Sequence, residues 1–252
     1  MIHRRLAATL FAGAIAFGTL TACGSDDDSS TTLEVYAAAS LRGSFEKIAT
    51  AFEAEHKDVE VKFNFAGSSE LVSQLTQGAD ADVLATADEK TMGQATDAEL
   101  LSAPAQIFAG NTLRIVVPAG NPKKISNLAD LSKGVDLVIC APQVPCGAAS
   151  VQVAEAAGIT LQPVSEELNV TEVLSKVTNG QADAGLVYLT DVISAGDAVE
   201  GIEFPESQDV INRYPIGRLE ESDEDDLADA FVAFVASSAG QQILADAGFQ
   251  AP

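Results

Sequence analysis

Two stretches of the chain, Tyr36-Ala37-Ala38-Ala39-Ser40-Leu41 and Phe65-Ala66-Gly67-Ser68-Ser69-Glu70-Leu71, pass from a β-type run through very small residues into serine and then a helical pattern. Small residues let a ligand approach the backbone, a serine hydroxyl donates or caps, and the first N–H groups of a helix have no partner within it. Such a turn can hold an anion. One copy reads as a plain N-cap. Two in succession are followed by two further helix starts, Val144-Pro145-Cys146-Gly147-Ala148 and Asn169-Val170-Thr171-Glu172. Four sets of free amides can therefore converge on one cleft, two from each side. An oxyanion held there would meet neutral donors and neither lysine nor arginine.

The elements that must position these turns alternate. Val35–Ala39 reads as a strand, and Leu41, Phe45, Ile48, Ala49 and Phe52 recur at helical spacing. Val59, Val61, Phe63 and Phe65 alternate with polar residues, Leu71, Val72 and Leu75 mark a helix closing at Gln77-Gly78, and Ala81–Thr86 is a third strand. Strand alternating with helix at this pace predicts parallel strands joined by right-handed crossovers. After Leu113–Val117, Pro118 and Gly120, the alternation restarts: helix at Leu128–Ser132, strand Asp136–Cys140, helix Ala148–Ala157, helix Val170–Val177 and a buried strand Ala182–Tyr188. Past Phe204-Pro205 the chain is extended through Tyr214–Gly217, and two helices, Asp223–Ala236 and Ala239–Ala247, are expected to return to the first unit.

Arg4 and Arg5 precede the apolar run Leu6–Leu20, and Leu20-Thr21-Ala22-Cys23 follows, the pattern of a removable secretory signal over residues 1–22. Its ending resembles a bacterial lipobox, which makes Cys23 the lipid anchor, and residues 23–32 read as a polar, flexible tether. Cleavage before Cys23 removes two of the 14 basic residues and none of the 37 acidic ones, so 12 against 37 leaves a net charge of −25. That balance argues against nucleic acid, which needs a basic footprint, and confines membrane attachment to the lipid. Of three cysteines, the two left after the anchor, Cys140 and Cys146, read as a disulfide in an exported protein. The acidic run Glu220–Asp226 reads as the solvated start of a helix, with Ser222 as its cap.

In this order the motifs resemble those of the periplasmic molybdate-binding proteins of ABC transporters, from about Leu33 to the C-terminus. The marks are Ala37-Ala38-Ala39-Ser40-Leu41, Phe65-Ala66-Gly67-Ser68-Ser69, Gly78-Ala79-Asp80-Ala81-Asp82-Val83 with Ala87-Asp88, Val144-Pro145-Cys146-Gly147, and Asn169-Val170 with Ala182–Tyr188. The resemblance implies an α/β fold of the type II periplasmic binding class. Two lobes, each a mainly parallel sheet flanked by helices, are joined by a two-stranded hinge. The lobes would be residues 33–111 plus 214–252, and residues 112–213. It further implies that the oxyanion accepts hydrogen bonds from the hydroxyls of Ser40, Ser68 and Tyr188 and from the backbone amides of Cys146 and Val170, with Ser69 as an additional candidate. Cys146 departs from the small residue, commonly alanine, of that turn, but its N–H survives any substitution except proline.

The function so implied is a lipid-anchored, monomeric solute-binding protein on the outer face of the cell membrane. It would capture molybdate or tungstate, without any cofactor, for an ABC permease and its ATPase. The metal would be bound only as its oxyanion. A binder for another tetrahedral oxyanion such as sulfate is the alternative. An enzyme is not expected, because His56 is the one histidine of the mature chain and no nucleophile-base pair stands out.

Overall fold

The computed structural model describes residues 30–252. The signal segment, Cys23 and most of the expected tether lie outside the described residues. Thr31 and Thr32, assigned to the tether by composition, instead open the first strand, β1 (Thr31–Ala38), because their backbones pair with Val59 and Glu60 of the second.

Along β1 the alternate residues Leu33, Val35 and Ala37 are fully buried. Helix α1 (Arg42–Glu55) buries Phe45, Ile48, Ala49 and Phe52, one stripe at helical spacing. There follow β2 (Val59–Ala66), α2 (Ser68–Thr76), β3 (Val83–Ala85) and α3 (Glu89–Asp97). Helix α3 has no expectation behind it: it is mostly polar with Gly93 at its centre, and what starts it is the Asp88 carboxylate accepting the Thr91 N–H at 2.8 Å.

The long strand β4 (Gln106–Pro118) is visible in sequence only as its apolar second half. After it come β5 (Leu137–Cys140), α4 (Pro145–Ala156), β6 (Ser165–Glu167), α5 (Val170–Thr178), β7 (Ala184–Tyr188), α6 (Leu189–Ala195), β8 (Val199–Ile202), β9 (Ile211–Arg218), α7 (Asp225–Ala236) and α8 (Ser238–Asp246). Leu128–Ser132 forms a 3₁₀ turn rather than an α-helix. Ser222 does not cap α7, whose N-cap is Glu224; its hydroxyl donates to Asp82 at 2.7 Å and accepts the Glu224 N–H.

The strands run in the order β2-β1-β3-β9-β4-β7-β5-β6, with β8 also on β4. At one end β1 pairs in parallel with β2 and β3, and at the other β5 pairs in parallel with β6 and β7. Between them β4 changes partner along its length. Gln106–Thr112 lie against β9, and Leu113–Val116 lie against β7, both antiparallel. Two α/β halves are thus joined through β4 and β9, and the first half recovers α7 and α8 from the C-terminal end of the chain. An aromatic cluster centred on Phe45, with Phe108 and Phe231 at 5.7 and 6.2 Å between ring centroids, locks those returning helices to α1. Each such pair adds about 0.5–1.5 kcal/mol beyond the area it buries.

An aspartate at the entry to one strand of each half fixes register. The Asp82 carboxylate accepts the Glu34 N–H at 2.8 Å, and that of Asp183 accepts the Asp136 N–H at 3.0 Å. Both sit in the same Ala-Asp setting noted in the sequence, and both stand at the far ends of β3 and β7 from the serine turns. Their role is structural.

Candidate functional site

Where the two halves face each other, a small cavity is lined by Ala38, Ala39 and Ser40, by Ala66, Gly67, Ser68 and Ala87, and from the opposite half by Pro145, Cys146, Leu168, Asn169, Val170 and Tyr188. None of these residues carries a charge. The five residues expected to hold an oxyanion, Ser40, Ser68, Cys146, Val170 and Tyr188, are all buried and all line it. Ser69 does not. Its hydroxyl donates to the Gln143 carbonyl at 3.2 Å, so it ties one half to the other at the rim.

Each donor is aimed by its neighbours. Ser68 is the first residue of α2, and its oxygen accepts the Ala87 N–H at 3.0 Å. An N–H can only donate, so the Ser68 hydroxyl proton is left to point elsewhere. The Ala87 peptide is itself fixed, because its carbonyl accepts from the Asn212 side chain at 3.0 Å. Ser40 lies in a 3₁₀ turn, Ala39–Leu41, and shares a hydrogen bond of 2.9 Å with the Tyr214 hydroxyl.

On the other side, Pro145 occupies the first position of α4 and has no N–H, which makes the Cys146 amide the first that the helix offers. The helix ladder begins only with the Ala148 N–H, bonded to the Val144 carbonyl at 2.9 Å. In α5 the Asn169 side chain accepts the Glu172 N–H at 3.0 Å while the Glu172 carboxylate accepts the Leu168 N–H at 3.0 Å, a reciprocal cap. The Val170 and Thr171 amides lie ahead of that ladder. Cys140 and Cys146 are bonded as a disulfide with Cα atoms 5.6 Å apart, closing the loop that carries the Cys146 amide. A ring this short stabilises by about 2 kcal/mol in the chain-entropy model. Gly147 lets α4 seat there, since a Cβ at that position would lie 1.8 Å from the Ala141 carbonyl oxygen.

Tyr188 ends β7 at 1% exposure, and among the described residues its hydroxyl is a buried polar atom with no hydrogen-bond partner. Leaving such a group unpaired costs about 1–3 kcal/mol. An uncharged cavity with a serine hydroxyl whose oxygen is taken by an N–H, a second serine paired to a tyrosine, an unpartnered phenol and free helix amides offers neutral donors suited to a small oxyanion.

The model of the bacterial extracellular solute-binding proteins matches residues 33–250. The chain belongs to that family. The molybdate-binding protein ModA of Mycobacterium tuberculosis is 48% identical over 92% of this chain and 93% of its own length. ModA of Escherichia coli is 32% identical over 84% and 85%. Among solved structures, the periplasmic molybdate-binding protein of Azotobacter vinelandii superposes with a TM-score of 0.77 at 23% identity, covering 87% of this chain and 99% of that one. The fold is accordingly the two-lobed type II periplasmic binding architecture, and the family binds solutes outside the cytoplasm rather than catalysing reactions.

Two parts of this solute-binding protein's site escaped sequence reasoning. Tyr214, taken only as part of an extended stretch, meets Ser40 from a strand 174 residues away. The Ala87 amide, which aims Ser68, had a signal in the Ala87-Asp88 motif but no role until β3 placed it. Burial above all pushes the Tyr188 hydroxyl well above its ordinary pKa, helped by nearby Tyr214, Asp88 and Asp191, so it stays a protonated donor. Burial likewise raises the Tyr214 hydroxyl, against its hydrogen bond with Ser40. Asp191, whose carboxylate accepts the Tyr188 N–H at 2.9 Å, is pushed up to about 7, burial outweighing that bond.

Proposed function

We propose that this chain captures molybdate between its two lobes and delivers it to an ABC transporter, with residues 33–111 plus 214–252 as one lobe and 112–213 as the other. The single observation that carries the reading is the uncharged cavity in which the unpartnered Tyr188 hydroxyl converges with Ser40, Ser68 and the Cys146 and Val170 amides. The relatives named for molybdate binding support the choice of ligand.

The chemistry follows from donor count and size. A fully deprotonated tetrahedral oxyanion needs only donors. A protonated one, such as hydrogen phosphate, brings an O–H that finds no carboxylate here to accept it. Sulfate has the right protonation but shorter bonds, so its oxygens reach fewer of the donors at once. Tungstate, nearly the size of molybdate, is bound as well. The net charge of −25 in the mature chain does not forbid an anion, because exposed charges beyond about 8 Å are largely screened while local dipoles act at contact. The protein works as a monomer, held to the outer face of the membrane by lipid on Cys23, and no cofactor takes part.

Thermal unfolding with and without oxyanion tests this. Molybdate or tungstate at about 100 times its Kd is expected to stabilise by roughly 2.7 kcal/mol. Absence of a shift with either, or a stronger response to sulfate, refutes the assignment.

A further inference from the structure

A serine hydroxyl both donates and accepts, so a site that relies on serine donors needs something to decide which it does. For Ser68 the Ala87 N–H decides it. For Ser40 the partner is Tyr214, and its hydroxyl is equally able to play either part by geometry alone. Chemistry breaks the tie. A phenol is the stronger acid and its oxygen the poorer acceptor, because its lone pair is drawn into the ring, so in a tyrosine–serine pair the tyrosine donates.

The surroundings of Tyr214 fix its ring. It is fully buried on β9, at the strand pair that joins the lobes, with Phe108, Tyr188 and Phe249 each edge-on to its ring at 6.3, 5.9 and 5.4 Å.

We infer that Tyr214 is a positioning and specificity residue: by donating to the Ser40 oxygen it turns the Ser40 O–H, rather than a lone pair, toward the cavity, and so disfavours Ser40 as the acceptor of a proton carried by a wrong oxyanion. Ser68 is thus set by a backbone N–H, that of Ala87, and Ser40 by the buried Tyr214 hydroxyl. The inference rests on the proposed oxyanion site and deepens it, since it names what enforces discrimination against protonated anions.

The experiment is a double-mutant cycle on the full chain, read by calorimetric titration with molybdate and with hydrogen phosphate. Tyr214→Phe keeps the ring and removes the donor; it is expected to weaken molybdate roughly 3- to 10-fold, the range of one hydrogen bond. In a Ser40→Ala background the same change is expected to have no further effect, because its target is gone. The preference for molybdate over hydrogen phosphate should narrow in Tyr214→Phe, where Ser40 regains the ability to accept. Phe108→Leu, which loosens packing on the same ring, should lower the melting temperature and leave that preference unchanged.

Additive losses in the double variant, an unchanged affinity in Tyr214→Phe, or a preference that shifts equally in Phe108→Leu would each overturn the inference. If the unaltered protein binds sulfate and not molybdate, the ligand assignment fails. The cycle run with sulfate then still decides on Tyr214.

Discussion

The Ser68 oxygen accepts the Ala87 N–H at 3.0 Å, so a residue at the start of α2 is oriented by the peptide that follows β3. Two structural segments have to be in place before one hydroxyl proton can face the cleft. Ser68→Ala removes the ligand's donor and also strands the Ala87 amide, which lies among buried atoms. A hydrogen bond to a charged group is worth about 1.5–3 kcal/mol and an unpaired buried amide costs about 1–3 kcal/mol. The variant is expected to bind molybdate at least 10-fold more weakly and to melt earlier in the absence of ligand. Titration and thermal unfolding separate the two, and an unchanged affinity would remove Ser68 from the site.

Gly67 and Leu168 touch across the cleft. A Cβ on Gly67 would stand 2.4 Å from the Leu168 carbonyl oxygen, although its φ of −62° admits any residue. Alanine there is compatible with each lobe by itself and incompatible with their observed approach. Gly67→Ala is expected to unfold at the same temperature as the parent without ligand, and to lose binding by more than 10-fold. Small-angle scattering would show the compaction on adding molybdate in the parent and not in the variant. Equal compaction in both would mean that the Gly67–Leu168 contact does not limit closure.

Asp191 is buried behind Tyr188, and burial raises its carboxyl to about 7. In the unfolded chain an aspartate titrates near 3.9. Between those values the folded protein holds a proton the unfolded one has lost, so this group's contribution to stability is full below about pH 4. It declines as pH rises and levels off above about 7. Glu167, held low by hydrogen bonds from Lys176 and Ser165 against its partial burial, acts in the opposite sense and only at lower pH. Denaturant unfolding is expected to show less stability at about pH 8 than at about pH 5, and Asp191→Asn should shrink that difference. The amide can still accept the Tyr188 N–H, so the comparison isolates the charge. An identical pH dependence in the two proteins would contradict the assignment.

Most elements that position the site were legible because their signals are local. Apolar alternation in β2, the helical stripe of α1 and the Pro145 start of α4 each follow from side chains within one or two turns of chain. Helix α3 and the first half of β4 were not, since α3 is polar apart from a few buried residues and Gln106–Asn111 sets only Ile107 and Phe108 among polar and small residues. Their structure comes from capping by Asp88 and from pairing with a strand about 100 residues later. Ser222 shows the same limit, as a residue with every local mark of a cap is claimed by Asp82 from the other end of the chain.

By itself the sequence determined the alternation of strands and helices, the four helix starts and the surplus of acid, and the order of its motifs resembled that of oxyanion-binding proteins. Those properties depend on neighbours along the chain, where backbone periodicity and missing side chains act. Only the tertiary structure decided which hydroxyls are donors. The Ser68 oxygen takes the Ala87 N–H from the segment after β3, and Ser40 is paired with Tyr214 of a strand 174 residues away. It also separated Ser68 from Ser69, one turned into the cavity and the other across the rim to Gln143, because adjacent residues at a helix start point to different sides.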